Sequence, residues 1–160
     1  MNTKKLVLTA LFTALTAVLT YFPKVPLMHG YVHLGDAVII ISALVLGWPA
    51  VISASLGSAL ADLPGYAIYA PATFVIKALM AAALCLLLKN PGVLKLVVAA
   101  VIAEIVMVCG YFLYEWALLD IAIALGDAPG NLLQALASAS IALFLYPIVK
   151  RIKFLWADKT

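Results

Sequence analysis

Two charged residues lie deep inside apolar stretches of this sequence, where an ionised side chain needs a partner. Lys77 lies within one apolar segment, and Glu104 lies in the middle of the next. Burying a charge in apolar surroundings is strongly unfavourable unless the charge is paired or hydrated. We therefore predict that Lys77 and Glu104 form a buried pair or contact a polar ligand. A Lys77–Asp62 pair that only holds helices together is the alternative.

Hydrogen-bonding side chains recur at helical spacing later in the chain. Glu104, Tyr111 and Glu115 share one helix face, and Asn131 and Gln134 share another. Carboxylates, amides and a phenol on facing helices can bind the edge of a flat polar ligand. We predict that all five contact a substrate. Capping of the helix that follows a Pro-Gly pair is the alternative role for Asn131.

The segment HGYVHLGDA brings a histidine and an aspartate to the start of another apolar run. His33 belongs to a loop that could close over a binding site. Asp36 is expected to be the N-cap of its helix, and fixing the loop or contacting a ligand is the alternative. Tyr66 and Tyr69, in the segment GYAIYAPAT, add rings that can stack against a planar ligand. We place all four residues at the same predicted site.

The composition indicates a membrane protein. Of the 160 residues, 67% are hydrophobic and 11% are charged, and the mean hydropathy is +1.18. Soluble domains have about half apolar and about a quarter charged residues, so this composition excludes a soluble core with a polar surface. The net charge of +3 does not indicate a nucleic-acid partner, because the basic residues follow the topology of the membrane spans.

Proline and glycine divide the chain into apolar blocks. We predict an all-α fold, with residues 1–160 forming a single transmembrane domain. Its six spans are expected near residues 5–22, 36–48, 50–63, 71–88, 94–118 and 130–149. The second and third blocks are short for a hydrocarbon core about 30 Å thick, so they are either short helices sheltered by longer neighbours or one re-entrant hairpin. Every proline is expected at or near the end of a span.

The basic residues predict the orientation of these spans. With both termini in the cytoplasm, eight of the ten lysines and arginines fall on the cytoplasmic side, as the positive-inside rule requires. They are Lys4, Lys5, Lys89, Lys95, Lys150, Arg151, Lys153 and Lys159. Acidic residues and tyrosines collect at the opposite ends of the spans. The predicted site therefore faces outward.

Small residues form a strip along the first predicted helix. Ala10, Ala14 and Ala17 line one side, next to a row of threonines. Small residues four positions apart let helix backbones approach each other closely in lipid. The strip either packs inside the protein or docks a separate membrane subunit.

Sequence motifs for catalysis are absent. There is no phosphate-binding loop, HExxH, GxSxG or cysteine–histidine cluster. We therefore expect no enzyme activity, no catalytic residues, no metal and no cofactor, and any energy for pumping must come from a partner. Three other functions stay open: a membrane enzyme that uses Glu104, Asp62 or a histidine as general base, a structural subunit, and a proton-coupled transporter that uses Glu104.

The sequence resembles the substrate-binding S components of energy-coupling factor (ECF) vitamin transporters. The likeness is carried by LGDA before the second span, by SALAD…GYAIYAPAT…IK across the third and fourth, and by PGNLLQ at the sixth. The AxxxA strip at Ala10 and Ala14 adds to it. In this order the blocks cover almost the whole chain.

The resemblance implies a multi-pass protein of the bacterial plasma membrane with an outward-facing vitamin pocket. It also implies that the alanine strip docks a membrane coupling (T) subunit, which joins two cytoplasmic ATPases. The implied pocket is built from the loop after helix one and from helices four, five and six. With the residues above, the predicted substrate-binding set is His33, Asp36, Tyr66, Tyr69, Lys77, Glu104, Tyr111, Glu115, Asn131 and Gln134.

The GYVxLGDA and GYxxYAPAT patterns are similar to a branch of the family with several substrates. That branch includes carriers of hydroxymethylpyrimidine, pyridoxine-type compounds and riboflavin. A tyrosine-rich rim with amides and carboxylates suits a flat heteroaromatic ring that is neutral or weakly cationic. Hydroxymethylpyrimidine is the preferred expectation, followed by pyridoxamine or pyridoxine. Riboflavin requires a larger cavity than these residues indicate.

Overall fold

The computed structural model describes residues 3–27, 29–89 and 91–157, with side chains described as far as Arg151. Its elements are α1 (Thr3–Tyr21), β1 (Val25–Pro26), β2 (Tyr31–Val32), α2 (Gly35–Leu46), α3 (Pro49–Tyr66), α4 (Ala70–Leu87), α5 (Val93–Leu118) and α6 (Ile121–Ala157). The prediction of an all-α chain is confirmed for the described residues, apart from the two-residue strands. Lys159, which entered the predicted orientation, lies outside the described residues.

The helices close into a ring. Neighbours around this ring are α1 and α3, α3 and α4, α4 and α5, α5 and α6, α6 and α2, and α2 and α1. Additional contacts join α2 to α3 and α4. Of the other five helices, only α5 therefore lacks an extensive contact with α2. The short helix α2 is therefore the centre of the packing.

The sequence of α2 explains its central position. GDAVIIISALVL is apolar on every side after its first turn, and a helix of this kind is stable only when it is buried all round. No residue between Gly35 and Leu46 is exposed, and Ile39 and Ile40 are both 0% exposed. Gly47, at φ 65°, ends α2 in a left-handed conformation that favours glycine. The second and third blocks are thus two separate helices.

The first helix packs through its threonines. Thr16 and Thr20 are buried, while Ala10 and Ala14 are exposed and Ala17 is half-buried. A Cβ at Gly57 of α3 would lie 2.8 Å from the Cβ of Thr16, so only glycine allows this close approach between the two helices. The alanine strip lies on the outer side of α1, away from these contacts.

Helix α6 differs from its predicted span. It begins at Ile121 instead of near residue 130, and it contains Pro129 and Pro147. The expectation that every proline lies near a span end is therefore wrong for Pro129, whereas Pro147 lies near the end of the predicted span although the helix continues past it. Proline removes one helical hydrogen bond, but neighbouring segments can hold such a helix together. Here the loop before β2 packs so closely on α6 that a Cβ at Gly130 would lie 2.5 Å from Leu27.

The outer surface of the bundle is apolar. Among the described residues, four helical stretches are long and apolar enough to cross a membrane: Thr3–Tyr21, Ala70–Leu87, Val93–Leu118 and Ile121–Arg151. Large apolar side chains on them face outward, including Leu79, Leu94 and Phe144 at 56%, 77% and 80% exposure. Such a surface requires a lipid environment.

Candidate functional site

A polar cavity lies at one end of the bundle, under the β1–β2 ribbon. Its lining combines four tyrosines with carboxylates and amides: Gly30, Tyr31, His33, Asp62, Tyr66, Tyr69, Thr73, Tyr111, Glu115, Asn131 and Gln134. The space open to water-sized molecules is about 30 Å³, which is room for about two of them. A ligand with an aromatic ring therefore requires the cavity to widen.

Backbone N–H groups in the turn of the β1–β2 ribbon form hydrogen bonds with a side chain of α6, which hold the ribbon over the cavity. The carboxylate of Asp127 accepts hydrogen bonds from the N–H groups of Gly30, at 2.9 Å, and His29, at 3.3 Å. Within the loop, the N–H of Leu27 donates to the carbonyl of Gly30 at 2.9 Å. Asp127 is 0% exposed, so it belongs to the attachment of the ribbon and not to an open outer surface.

Tyr66 and Tyr69, which together form the tyrosine wall of the cavity, are positioned by a break at the end of α3. Non-helical dihedral angles at Pro64 and Gly65, the latter with φ 102°, interrupt the helix and turn the chain toward α4. Tyr66 and Tyr69 follow this turn directly. The ring centroid of Tyr66 lies 4.7 Å from that of Tyr31 and 6.5 Å from that of Tyr69. These distances are typical of interacting aromatic pairs, so the ribbon closes against the corner through its own tyrosine.

Lys77 forms its ion pair with Asp36. The Nζ atom lies 2.5 Å from Oδ1, and both side chains are 0% exposed. The predicted pairing with Glu104 or Asp62 is therefore wrong, because α2 brings Asp36 into the centre of the ring, opposite α4. The prediction of Asp36 as an N-cap is wrong as well: α2 begins at Gly35, without a side-chain cap.

Gln134 joins this ion pair to the ribbon. Its Nε2 donates to Oδ2 of Asp36 at 2.7 Å, and its Oε1 accepts from the N–H of His33 at 2.9 Å. Both ends of the amide are thus used inside the protein. Gln134 lines the cavity and also fixes the loop that covers it, so a single side chain connects α2, α6 and the ribbon.

His33 is buried above the ion pair and is held in one orientation. Its Nδ1 accepts a hydrogen bond from the N–H of Gly35 at 3.1 Å, which leaves the proton on Nε2. Burial lowers the pKa of His33 to about 3, against the attraction of Asp36 and with smaller lowering effects from Lys77 and Lys24. His33 is therefore a neutral hydrogen-bond donor at physiological pH.

Two carboxylates of the lining face the tyrosines. Asp62 accepts a short hydrogen bond from the hydroxyl of Tyr31. Glu115 accepts a long one, 3.4 Å, from the hydroxyl of Tyr69 through Oε1. The other oxygen of Glu115, Oε2, is buried without a hydrogen-bond partner among the described residues.

Lys24 places a positive charge outside the tyrosine wall. Its Nζ lies 4.0 Å from the ring centroid of Tyr31, 4.6 Å from Tyr21 and 4.8 Å from Tyr66. Such cation–π contacts hold the ribbon against the corner. Partial burial lowers the pKa of Lys24, and the attraction of Asp62 opposes this effect.

Glu104 is separate from the cavity. Its side chain is 4% exposed, and neither carboxylate oxygen has a partner among the described residues. It borders an apolar groove between α5 and α6 together with Val101, Ile105 and Leu136. Glu104 is thus buried beside lipid-facing side chains and is not among the residues that line the cavity.

The structure brings together most of the predicted site residues. Seven of them line the cavity: His33, Tyr66, Tyr69, Tyr111, Glu115, Asn131 and Gln134. Asp36 and Lys77 form the ion pair beside it, and Asn131 lies inside α6, so the N-cap alternative for this residue is wrong. The predicted substrate-binding set does not contain four further lining residues: Gly30, Tyr31, Asp62 and Thr73. Thr73 could have been found from its position one helical turn before Lys77, and Tyr31 from its place in the HGYVHLGDA segment.

The donor set of the cavity is suited to hydrogen bonding and stacking. Among the described residues there is no group of three or more His, Cys, Asp or Glu side chains that could hold a metal ion. The hydroxyl of Tyr111 lies 3.0 Å from Oγ1 of Thr73, and its ring lies 5.3 Å from Nζ of Lys77. The lining therefore offers aromatic faces and hydrogen-bonding groups to a polar, aromatic molecule.

Comparison with known proteins identifies the family. No curated protein sequence matches the chain. The family described as ECF-type riboflavin transporter, S component, matches residues 1–151, which is nearly the full length. Members of this family are membrane-embedded, substrate-binding subunits and not enzymes. The apolar helices and the polar cavity agree with this description, and the chain belongs to the family of ECF-type riboflavin transporter S components.

Proposed function

We propose that this S component captures a small heteroaromatic vitamin or vitamin precursor outside the cell, with hydroxymethylpyrimidine as the first candidate. Pyridoxamine and pyridoxine are next. A membrane coupling (T) subunit and two cytoplasmic ATPases complete the importer and supply the energy. The observation that carries the proposal is the cavity itself, in which four tyrosines converge with two carboxylates and two amides.

Both aromatic stacking on the ring faces and hydrogen bonding at the ring edge contribute to the proposed binding of the ligand. Tyr31, Tyr66 and Tyr69 surround the cavity with large, stiff aromatic surfaces, which bind a planar ring at low entropic cost. Asn131 and Glu115 offer polar groups that can pair with the edge of that ring. A ligand that matches both the faces and the edge is bound in one orientation.

Closure of the ribbon makes the site selective. Tyr31 belongs to the ribbon and also to the cavity lining. A ligand that enters must therefore separate Tyr31 from Tyr66 and then be covered by it. Closure removes water from the polar groups around the ligand, which strengthens their hydrogen bonds. A small ring requires less widening of this cavity than a large one.

Riboflavin is the second candidate. It is favoured by the description of the matching family, which names riboflavin. Its three-ring system and ribityl chain require a much larger opening of the cavity than a single ring does. Direct titration of the purified protein with hydroxymethylpyrimidine, pyridoxamine and riboflavin distinguishes the candidates. Tightest binding of hydroxymethylpyrimidine supports the proposal, and tightest binding of riboflavin contradicts the first choice.

The cavity is proposed to face outward, with six spans and both termini in the cytoplasm. The positive-inside rule supports this orientation. In this proposal α2 and α3, which pack against longer helices, are the two remaining spans. Single cysteines test it. A cysteine in place of Asp120, which is exposed in the α5–α6 connection, should react from outside, and one in place of exposed Gly92 should not. The opposite labelling pattern contradicts the orientation.

A further inference from the structure

We propose that this cavity selects ligands with an exocyclic amino group, and that this group donates a hydrogen bond to Oε2 of Glu115. The inference rests on the proposed function, since it assumes that the cavity is the substrate site. It goes further because it assigns the preference of the site for a hydrogen-bond donor to one atom, Oε2 of Glu115. It also predicts which members of a set of similar rings are rejected.

Glu115 is built as an acceptor that lacks its donor. The residue is 2% exposed and lines the cavity. Oε1 receives only the 3.4 Å hydrogen bond from Tyr69, and Oε2 receives none from the described residues. A buried carboxylate oxygen without a partner is costly. A ligand N–H that reaches Oε2 removes this cost, whereas a ligand carbonyl or ether oxygen at the same place leaves it.

The charges around Glu115 favour a donor further. A Cβ on Gly30 would lie 3.5 Å from Oδ2 of Asp127 and 3.9 Å from Oε1 of Glu115, so two carboxylates border the same small space. Asp62 is the second carboxylate of the lining, beside Glu115. These side chains repel anions and attract N–H groups, with or without a positive charge.

The nearby cations do not cancel this preference. Lys77 is neutralised by Asp36 at 2.5 Å, and the ammonium of Lys24 lies over tyrosine rings on the ribbon side. His33 uses its Nδ1 as an acceptor from Gly35 and carries no positive charge. The acidic character of the cavity is therefore left uncompensated at Glu115. Ligands with a phosphate or carboxylate group should be excluded.

Matched pairs of ligands test the inference on the unaltered protein. The first pair is hydroxymethylpyrimidine, which has a 4-amino group, and its 4-hydroxy analogue. The second pair is pyridoxamine and 4-deoxypyridoxine. Titration of the purified full chain should give affinities about 10-fold or more higher for the amino member of the pair that binds, the ratio expected when a buried polar partner is lost. Equal affinities within that pair would overturn the inference.

The variant Glu115→Gln identifies the atom responsible. Its amide keeps the shape of the side chain but weakens the acceptor, so the preference for the amino member should fall to less than about 3-fold. Asp120→Asn is the matched control, because it removes an exposed carboxylate from the same end of α5 and should keep the parent ratio. A parent-like preference in Glu115→Gln would assign selection to another group and contradict the inference.

The failure of the inference and that of the proposed function give different results. If neither pair nor riboflavin binds the folded parent protein, the proposed function fails and the inference fails with it. If the rings bind but the amino member of the pair and its counterpart bind equally, only the inference fails. The ligand pairs are measured on the parent protein, so this distinction does not depend on the folding of a variant.

Discussion

Lys77 of α4 and Asp36 of α2 form an ion pair of 2.5 Å in which neither side chain is exposed. Burying two charges is costly, and only close pairing with further hydrogen bonds offsets the cost. Gln134 supplies such a bond to the second oxygen of Asp36. The pair therefore joins the central helix to the ring directly beside the cavity.

Removing one member of this pair should destabilise the protein strongly. Asp36→Leu or Lys77→Met leaves an uncompensated buried charge, and each should lower the free energy of unfolding in detergent by about 3–5 kcal/mol. The double variant should recover most of this loss, because no charge stays behind. Lys95→Met, at an exposed lysine, is the control and should change stability little. A double variant that is as unstable as the two losses combined would show that the pair is not the source.

Asn131 and Gln134 should both contribute to ligand binding, but with different effects on stability. Asn131 lies within α6, where its side chain lines the cavity and does not cap the helix. Asn131→Ala should therefore weaken binding by about 5–150-fold, the loss expected for one unpaired polar group, with little change in stability. Gln134→Ala should weaken binding by a similar factor and also lower stability, because it breaks bonds to Asp36 and His33.

A neighbouring serine provides the control for both variants. Ser140 is exposed on the same helix, so Ser140→Ala should bind ligand like the parent protein. Calorimetric titration measures the affinities, and thermal unfolding measures the stabilities. Parent-like ligand affinity in both the Asn131 and Gln134 variants would mean that the substrate binds elsewhere.

His33 should make the protein less stable in acid. Burial lowers its pKa from 6.5 to about 3, so the unfolded chain binds a proton between these values that the folded protein does not. Stability is therefore complete above about pH 6.5 and should fall as the pH decreases, by up to about 1.4 kcal/mol per pH unit from this residue. His33→Gln should flatten the dependence of the melting temperature on pH between 6.5 and 4.5. An unchanged slope would show that other groups cause it.

The alanine strip should be needed for transport but not for binding. Ala10 and Ala14 are exposed on the outer side of α1, where a bulky residue fits without disturbing the cavity. Ala10→Trp and Ala14→Trp should block uptake by the complete transporter and leave ligand affinity within about 2-fold of the parent value, a difference of less than 0.5 kcal/mol. Val98→Trp, on an exposed face of α5, is the control. Loss of binding in the α1 variants would indicate internal packing instead.

Helical spacing accounts for much of what could be predicted. Tyr111 and Glu115 on α5 and Asn131 and Gln134 on α6 meet at the cavity, because polar residues on one helix face must turn away from lipid. Glu104 shares the helical spacing of Tyr111 and Glu115, but it borders the α5–α6 groove and does not line the cavity. Its predicted contact with the substrate stays a prediction.

The partner of Lys77 could not be predicted from spacing alone. Asp36, Asp62 and Glu104 are all acidic residues in or beside apolar helices. Which of them meets Lys77 depends on the order of the helices around the bundle. The apolar sequence of α2 indicates that this helix is buried, but it does not specify which helix faces Asp36. The start of α6 was missed for a related reason. Pro129 indicates a break locally, whereas the bonds from Asp127 to the ribbon hold the first turns of the helix in place.

We propose that this S component binds a small, amino-bearing heteroaromatic ring. The most direct measurement is mass spectrometry of small molecules extracted from the protein after purification from cells that contain all three candidate vitamins. We predict that hydroxymethylpyrimidine is recovered in near-stoichiometric amount from the parent protein and is depleted in the Asn131→Ala variant. Recovery of riboflavin in its place, or of no heteroaromatic compound from folded protein, would contradict the account.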